Sequence, residues 1–529
     1  MVVDFKIPPF AHTSSEDIEF AAQRLRATFR TGVTKPLEWR RVQLRKLYWA
    51  VKDHTAVIQD ALKSDLRKSR HEAALTEIDM ILAEIMYMLK NLERFSKDEG
   101  VADIPLTFAL MKARIRKEPL GMVLIIGAYN FPIQLTLLPL VGAIAAGCTA
   151  VLKPSEGAPA SAMALVKVIN AGLDPEAFAV VNGAVPETQQ LLDIKWDKIF
   201  YTGGTVVGKI IAKKAAETLT PVCLELGGKN PAFVTASGDV NLAARRLGWG
   251  KTLNAGQVCL SHNYVLVDRT AAPRLIQAFK DTMATFFPRG AKNSPDYGRI
   301  VNERQFQRIK KMLDGTNGDI VVGGEVDEKD LFIEPTIVQV SSPNDIIIQE
   351  ESFGPVFGIL PYDTIDEAIA IANEVDHAPL SLFVFGNDAD AEKILSRVTS
   401  GGATVNDAFT HASIPVVPFG GIGDSGQGNY KGRASFDCFT HRRSLATVPS
   451  WLDALLRVRY MPYSSKELNR LRSMNATTPD FDREGRPVRG LAYWFPFVMG
   501  FGAKSVKSML FRWILLFLTY ATLKKRGLF

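Results

Sequence analysis

The chain has 529 residues, of which 47% are hydrophobic and 22% are charged, so it is large and apolar enough for two or three globular domains. This composition excludes a disordered or fibrous protein. The formal net charge of +7 is unevenly placed: residues 451–529 carry +9, while the preceding 450 residues carry −2, and such a mildly acidic body argues against a nucleic-acid enzyme.

The first 105 residues are predicted to be helical. Thr13 and Glu16 have the spacing of a capping box, and Gly32 marks the end of the first helix. The inner face of that helix is predicted to consist of apolar residues at helical spacing: Ile18, Ala21, Ala22, Leu25 and Phe29. Further apolar runs with the helical period continue to Leu92.

From Gly121 onward, short apolar strands alternate with helices. The strands are predicted at 122–126, 150–153, 179–182, 198–202 and 222–226, with helices such as 158–171 and 207–216 between them. A second alternating region runs from about Asn230 to Pro418, without a Pro- or Ser-rich linker before it. This pattern predicts an α/β fold with a doubly wound parallel sheet, a second α/β domain and an active site between the two.

The tail is both basic and apolar. Its segment 506–523 contains only Lys507 and Arg512 as charges, and as a helix it would span about 27 Å, against about 30 Å for a bilayer core. The preceding stretch 491–501 is rich in aromatic residues, and Lys524-Lys525-Arg526 would lie among anionic headgroups. We therefore predict membrane attachment through the tail, either spanning the bilayer or lying in its interface; a solvated surface extension is the alternative.

The four cysteines, Cys148, Cys223, Cys259 and Cys438, form no framework of short spacings, which favours a reducing compartment. None of the seven histidines pairs at a metal-ligand spacing, so no metal site is expected. Residues 1–6 lack the features of a secretory or transit segment. Together with the tail, these features predict a protein on the cytosolic face of an intracellular membrane.

Two strand ends carry candidate binding residues. Gly203 and Gly204 follow the strand 198–202 and open a helix that contains Gly208, a geometry in which backbone amides approach a pyrophosphate. The motif is not GxGxxG, and a purely structural turn is the alternative. Lys153 ends another strand three residues before Glu156, and this ammonium and carboxylate could hold ribose hydroxyls or form only an exposed ion pair.

A candidate nucleophile is Cys259, which follows Gly256 by three residues. The glycine allows a ligand to approach the backbone beside the thiol. Taken alone, the cysteine would be read as inert core. Its significance depends on the motifs around it.

Six motifs in order resemble those of the aldehyde dehydrogenase superfamily, over roughly residues 15–446. They are Tyr129-Asn130-Phe131-Pro132, Lys153-Pro154-Ser155-Glu156, Thr202-Gly203-Gly204-Thr205, Leu224-Glu225-Leu226-Gly227-Gly228-Lys229, Gly256-Gln257-Val258-Cys259 and Glu350-Glu351-Ser352-Phe353-Gly354-Pro355. The segments 418–423 and 436–443 resemble the class 3 and fatty aldehyde dehydrogenase branch, and the tail resembles its membrane-attached members.

The resemblance implies a covalent mechanism. Cys259 is then the nucleophile, Glu225 the general base, and the Asn130 amide with the Cys259 backbone N–H the oxyanion hole. Thiolate addition makes the aldehyde carbon tetrahedral, hydride transfer leaves a thioester, and water activated by Glu225 releases the acid.

The resemblance also implies NAD as cofactor, with NADP as the alternative. Lys153 and Glu156 would hold the adenine ribose, the loop of Gly203, Gly204 and Gly208 would border the pyrophosphate, and Glu351 with Phe353 would place the nicotinamide ribose. We accordingly predict a dinucleotide-binding domain at 1–105 and 119–227, a catalytic domain at 228–425, bridging or oligomerisation segments at 106–118 and 426–450, and the membrane tail at 451–529. A homodimer is expected.

Two sites, Ser261-His262 and Tyr129, depart from the family pattern. His262 and Ser261 stand where a Pro and a small residue are usual, so His262 either alters the aldehyde pocket or only packs. Tyr129 replaces a frequent Trp and is expected to reshape the substrate funnel.

The sequence leaves the substrate open. A fatty aldehyde is the first expectation, and an apocarotenoid aldehyde of the beta-apo-4'-carotenal type, in carotenoid biosynthesis, is the alternative. A CoA-acylating semialdehyde dehydrogenase is a rival against which Glu225 argues. A non-catalytic membrane adaptor on the same scaffold is the rival from another class.

Overall fold

The computed structural model describes residues 7–474, 479, 481–487, 491–503 and 506–525, so the predictions for residues 1–6 and for Arg526 lie outside the described residues. The described residues fall into two compact units. One lies within Met1–Gly100 and Arg114–Ser444, and the other within Val101–Ala113 and Leu445–Phe529.

The first unit begins with five helices: α1 (Ser15–Thr31), α2 (Leu37–Asp53), α3 (Thr55–Leu66), α4 (Arg70–Ala73) and α5 (Asp79–Ser96). The predicted helical character of this region is confirmed up to Ser96, and a short strand at Glu99–Gly100 follows where helix was expected to continue to residue 105. A single π-helical turn, Ala74–Ile78, joins α4 to α5. The predicted inner face of α1 is confirmed for Ile18, Ala21, Ala22 and Leu25, whereas Phe29 is half-buried.

The capping box predicted at Thr13 and Glu16 is wrong by one residue. The cap is Ser14, whose Oγ accepts the Asp17 backbone N–H at 3.1 Å, while the Thr13 hydroxyl instead accepts the Asn182 N–H at 2.9 Å. Gly32 ends the helix as predicted, in the left-handed conformation with φ of 77°.

Next come strands and helices in alternation. The strands are β1 (Glu99–Gly100), β2 (Arg114–Pro119), β3 (Met122–Ile126), β4 (Thr149–Lys153), β5 (Phe178–Val180), β6 (Lys198–Thr202) and β7 (Val222–Glu225). The helices are α6 (Gln134–Ala146), α7 (Pro159–Gly172), α8 (Val185–Asp193) and α9 (Thr205–Glu217). The predicted strand 179–182 lies slightly earlier, at β5.

Strands β7, β6, β3, β4 and β5 pair in that order and run parallel, so the predicted doubly wound sheet is confirmed. All five residues of β3 and of β4 are buried, as expected for strands covered on both faces. Helix α6 is buried along its whole length, which places the loop before it, with Asn130, inside the protein.

A second sheet follows in chain order. Its region contains β8 (Pro231–Val234), β9 (Tyr264–Asp268), β10 (Asp319–Val322), β11 (Val326–Asp327), β12 (Phe332–Ile333), β13 (Thr336–Gln339), β14 (Val356–Tyr362), β15 (Ser381–Phe385) and β16 (Gly402–Val405). The helices are α10 (Val240–Thr252), α11 (Ala272–Phe286), α12 (Glu303–Gly315), α13 (Ile346–Gln349), α14 (Ile365–Val375), α15 (Asp388–Leu395) and α16 (Thr410–Ser413). The seven-stranded order is β10-β13-β14-β9-β8-β15-β16, parallel except at the β10 edge.

The chain then returns to the first sheet. Strand β17 (Gly426–Gln427) pairs antiparallel with β7, so that Gly426 lies opposite Glu225. Helix α17 (Arg433–Cys438) follows, and β18 (Thr440–Leu445) joins β1 and β2 in a small separate sheet.

The second unit contains the tail helices α18 (Asp453–Leu456), α19 (Ser465–Met474), α20 (Leu491–Met499) and α21 (Val506–Lys525). Residues Val506–Lys524 form the one described helix long and apolar enough to cross a membrane, with a mean hydropathy of 1.3. Helices α20 and α21 pack as a hairpin, in which Arg512 donates to the carbonyls of Gly500 and Phe501. The charge that interrupts the apolar run is therefore bound to the hairpin turn.

Candidate active site

The predicted nucleophile lies on a loop with unusual backbone conformation. After α10, three consecutive residues are left-handed: Asn254 (φ 52°), Ala255 (φ 51°) and Gly256 (φ 72°). Gln257 fixes the loop, because its side-chain amide donates to the Asn254 carbonyl at 3.0 Å. The carbonyl of Cys259 accepts from Asn230 Nδ2 at 2.7 Å, which holds this partly buried cysteine at a set position.

Asn130 lies beside this loop. Its side chain is buried, and Nδ2 donates to the carbonyl of Gln257, two residues before Cys259, at 3.0 Å. A side-chain amide has two N–H donors, so one is fixed by Gln257 and the other remains for a ligand. The structure thus brings Asn130 to the Cys259 loop, although 129 positions separate them in the sequence.

Glu225 ends β7 and is 3% exposed. Neither carboxylate oxygen has a hydrogen-bond partner among the described residues. Burial raises the pKa of this carboxyl well above its usual range, Cys438 adds to the rise, and Lys431 opposes it. A buried carboxyl without partners is rare in a purely structural role and suits a group that acts on water.

The charges around Cys259 decide how its thiol ionises. Burial raises the pKa of Cys259 to about 12, the carboxyl groups of Glu225 and Glu351 add to this, and Lys431 lowers it. The resting thiol is therefore protonated, and Lys431 is the cation that most directly favours the thiolate.

Sequence reasoning missed Lys431. Its ammonium is buried, donates to the Ala412 carbonyl and lies 4.9 Å from the centre of the Phe419 ring. Burial lowers its pKa to about 8. A single lysine between Tyr430 and Gly432 looks like a surface residue in the sequence, and only the return of the chain to β7 brings it to the site.

A cavity of about 370 Å³ leads to Cys259. Its wall is mainly apolar and includes Phe131, Leu135, Leu138, Trp249, Leu260 and Phe409. The charged side chains on the wall are Asp79, Glu84 and Lys431. Such a cavity suits a long hydrophobic molecule whose reactive end meets the thiol.

Neither departure from the family pattern lines this cavity. His262 is fully buried, stacks edge-on against Phe357 at 4.6 Å and has no hydrogen-bond partner for either ring nitrogen among the described residues. Of its two expected roles, the structure thus supports packing. Tyr129 packs against Phe353 with ring centres 5.9 Å apart, so the expected effect on the substrate funnel does not appear in the cavity wall.

The residues expected to bind the adenosine half of a dinucleotide lie at one edge of the first sheet. Lys153 ends β4, and its ammonium contacts the Glu156 carboxylate at 2.6 Å. Gly204 caps α9 and borders open space, since a Cβ there would have no atom within 4 Å. Gly203 is held by a bond from its N–H to the Glu225 carbonyl at 3.0 Å.

Gly208 has a different environment. It is buried one turn inside α9, and a Cβ at this position would lie 2.7 Å from a Leu226 methyl carbon. Its missing side chain allows α9 to pack closely on the chain after β7. The position therefore supports the helix behind the loop.

Glu351 and Phe353 lie on the segment after α13. The Gly228 N–H approaches the Glu351 carboxylate at 3.5 Å, a long contact, and burial raises the pKa of Glu351 to about 7. Arg308 fixes the segment by donating to the carbonyls of Glu351 and Ser352 at 2.8 Å and 2.6 Å.

These groups fit a nicotinamide dinucleotide. Gly204, the N-cap of α9, borders open space. The first N–H groups of a helix have no partner within it and lie at the positive end of its dipole, so this space favours a pyrophosphate. The Lys153 and Glu156 pair lies at the carboxyl end of a neighbouring strand, where such sheets bind ribose.

Comparison with known proteins agrees with this geometry. Residues 6–445 match the aldehyde dehydrogenase family. The chain is 55% identical over 516 residues to the "Beta-apo-4'-carotenal oxygenase" of Neurospora crassa, covering 97% of each chain. It is 53% identical to the protein of that name from Gibberella fujikuroi, over 99% of this chain and 98% of the other. The solved substrate-bound AldH of Staphylococcus aureus is similar at a TM-score of 0.84 and 38% identity, covering 87% of this chain and 99% of that one.

Proposed function

The chain belongs to the aldehyde dehydrogenase family, and from that premise we propose that it oxidises a long apocarotenoid aldehyde to the carboxylic acid. The observation that carries the proposal is the apolar cavity of about 370 Å³ that leads to Cys259. The choice of an apocarotenoid rests on the two fungal relatives, which match over nearly the whole chain and carry that substrate in their names. A fatty aldehyde is the second candidate, because the same apolar wall accepts a saturated chain.

The proposed reaction begins at Cys259. The thiol loses its proton to solvent, and the sulfur bonds to the aldehyde carbon, whose oxygen becomes an alkoxide. The free Asn130 N–H and the Cys259 backbone N–H stabilise that oxygen; loss of one such donor typically costs about 10²-fold or more in rate. Loss of hydride from this carbon leaves a thioester on Cys259, and a bound NAD(P)⁺ would supply the hydride acceptor.

Glu225 then acts on the thioester. The buried carboxylate takes a proton from water, the water oxygen bonds to the thioester carbon, and the carbon–sulfur bond breaks to return the thiolate and release the acid. This role suits a carboxyl whose raised pKa makes it a stronger base than an exposed glutamate. The unpaired oxygens of Glu225 leave its lone pairs free for the water.

We propose NAD as the preferred form of the cofactor. The Glu156 carboxylate, held by Lys153, would accept a hydrogen bond from the ribose 2′-hydroxyl and would repel a 2′-phosphate. Lys153 partly offsets that repulsion, so some use of NADP is expected.

The proposed location is the cytosolic face of an intracellular membrane. The α20–α21 hairpin supplies an apolar surface with exposed Phe497, Phe511 and Trp513, and the tail adds a charge of +9. These two features act together on anionic lipid. The hydrophobic substrate would then be taken up beside the membrane in which it dissolves. We retain a homodimer as the expected assembly.

The experiment that tests the substrate uses the full-length protein in lipid vesicles with NAD. NADH formation is measured with beta-apo-4'-carotenal and with hexadecanal, and the acids are identified by mass spectrometry. We expect both to be oxidised, with the higher kcat/KM for the apocarotenal. The reverse order would make the fatty aldehyde the substrate, and acyl-CoA formation after addition of CoA would indicate the CoA-acylating class. No NADH with either aldehyde would contradict the proposed function.

A further inference from the structure

A lysine and a glutamate form an ion pair with no exposure to solvent beneath the active site. Lys68 Nζ lies 2.6 Å from Glu77 Oε1, and both side chains are 0% exposed. Lys68 stands between α3 and α4, and Glu77 lies in the π-helical turn Ala74–Ile78. Single π-turns occur frequently at functional sites.

The remaining bonds of this pair go to the Asn130 loop. Lys68 Nζ donates to the Asn130 carbonyl at 2.9 Å. Glu77 Oε2 accepts the N–H groups of Ile133 and Gln134 at 3.0 Å and 2.9 Å. The Lys68 ammonium also lies 4.1 Å from the centre of the Phe131 ring. The pair thus binds the loop at Asn130 itself and again at Ile133 and Gln134, where α6 begins.

The same helical layer holds the Cys259 loop. Glu72 Oε1 accepts the Asn254 N–H at 2.6 Å. Asn254 Nδ2 donates to the Asn130 carbonyl at 2.8 Å and to the Gln257 carbonyl at 3.0 Å. The Asn130 carbonyl is therefore shared by Lys68 and Asn254, and the Gln257 carbonyl is shared by Asn254 and the Asn130 amide.

Stability alone is a weak reason for such a pair. Removing two charges from water costs much of what their attraction returns, and buried pairs can often be replaced by apolar residues without loss of stability. Geometry is a stronger reason, because a displacement of about 1 Å in a group that contacts the transition state can cost about 10²-fold in rate. The bonds of Lys68 and Glu77 fix the backbone from which the Asn130 amide extends.

We propose that Lys68 and Glu77 are positioning residues that hold the Asn130 amide in place to stabilise the alkoxide on the aldehyde carbon. The inference rests on the proposed function, in which Asn130 supplies that donor and Cys259 the nucleophile. Lys68 and Glu77 do not touch the substrate; they act through the Asn130 backbone.

The test compares Lys68→Met with the wild type in two reactions of Cys259. Thioester formation, followed as the pre-steady-state NADH burst, should slow by about 10- to 100-fold. Alkylation of Cys259 by iodoacetamide, located by peptide mass spectrometry, needs no oxyanion donor and should keep its rate. A general loosening of the site would change both reactions.

Arg40→Met is the matched control. Arg40 is also a buried cation that donates to backbone carbonyls, including Ala145 at 3.1 Å, but none of its hydrogen bonds reaches Asn130 or Asn254. Both variants should lower Tm, since each removes bonds to buried carbonyls. Only Lys68→Met should slow the burst.

Asn130→Ala separates failure of this inference from failure of the proposed function. If Asn130→Ala keeps the wild-type burst rate, the oxyanion role itself is wrong. If it slows the burst and Lys68→Met does not, only the positioning role is wrong.

The double variant Lys68→Met/Asn130→Ala tests whether Lys68 acts through Asn130. Once the Asn130 amide is gone, Lys68→Met should slow the burst no further, because two residues that act through one group do not have additive effects. If the two fold-losses in burst rate multiply, the inference is overturned. Should Lys68→Met fail to fold, Glu77→Gln replaces it. The glutamine oxygen can still accept from the loop, which favours folding, but its amide NH2 group would face the Lys68 ammonium and break the ion pair. The burst should therefore slow, and a burst no slower than wild type would overturn the inference.

Discussion

The α-carbon of Gly256 faces the carbonyl oxygen of Gly354 so closely that a Cβ on Gly256 would lie 2.1 Å from it. The Cys259 loop therefore touches the segment of Glu351 and Phe353 backbone to backbone, and Gly256 also needs its positive φ of 72°. Two parts of the proposed site are thus held at a fixed separation by a residue without a side chain.

Gly256→Ala should disrupt this contact. We expect a loss of about 1–3 kcal/mol in the free energy of unfolding from overpacking and a fall in kcat of about 10²-fold from displacement of the thiol. Denaturant unfolding and NADH assays measure both. Gly315→Ala is the control, because a Cβ there meets only ordinary contacts at 3.6 Å and it should leave both quantities nearly unchanged. Wild-type activity in Gly256→Ala would contradict the account.

Lys431→Met should shift the pH dependence of the reaction. The groups that act, the Cys259 thiol and the Glu225 carboxyl, work deprotonated, so rates rise as pH passes their pKa values. Lys431 lowers the pKa of both, and its own pKa of about 8 keeps it charged at neutral pH. Its loss should move the rising limb upward by about one pH unit. The rate of Cys259 alkylation and kcat, each measured as a function of pH, check this prediction. Lys431→Arg is the control, because it retains the positive charge. If the pH profiles of Lys431→Met coincide with those of the wild type, Lys431 does not lower the pKa of the reacting groups.

Glu156→Gln should reduce the preference for NAD over NADP. Loss of the carboxylate removes repulsion of the 2′-phosphate and leaves Lys153 to attract it. A change of about 10-fold in the ratio of the two kcat/KM values corresponds to about 1.4 kcal/mol. Glu217→Gln, at the far end of α9, removes an exposed carboxylate as a control. If the wild type, Glu156→Gln and Glu217→Gln all show the same ratio, Glu156 does not determine the choice between NAD and NADP.

Deletion of residues 491–529 should release the protein from membranes. The segment contains the α20–α21 hairpin and six basic residues without an acidic one. High salt alone should release the full chain only partly, because it screens the charge and not the apolar contact. Turnover of a short soluble aldehyde should persist, while turnover of a bilayer-embedded aldehyde should fall. Equal membrane recovery of both proteins would show that the segment is not the anchor.

The sequence predicted what depends on local pattern. The strands of the first sheet carry continuous apolar runs, so the sheet could be predicted from the sequence. Lys153, Gly203 and Glu225 stand at or directly after the ends of these strands, and the same pattern therefore indicates where the candidate site lies. The first helix was misplaced by one residue because Thr13 bonds to Asn182, a partner 169 positions away.

The missed residues share a physical reason. Three charged residues, Lys68, Glu77 and Lys431, would be expected on the surface from the sequence alone. In the structure each of them is buried, because residues distant in the sequence pack against it. In the sequence Gly208 looks like part of the glycine loop that would bind the cofactor, but in the structure it packs on Leu226. A glycine can serve either purpose, because close packing of a helix on its sheet and close approach of a cofactor both require a missing side chain. Periodicity shows which face of an element is apolar and carries no information on such distant partners.

The most direct test of the account looks for the acyl group on Cys259. Glu225→Gln, mixed with NAD and the aldehyde, should release one equivalent of NADH in a burst and then stall, because the thioester forms and its hydrolysis lacks the base. Mass spectrometry of the quenched protein should find the acyl group on the peptide that contains Cys259. Cys259→Ala should bind NAD and form neither NADH nor the adduct. Continued turnover in Cys259→Ala, or a stalled Glu225→Gln protein without an acyl group on Cys259, would contradict the covalent mechanism.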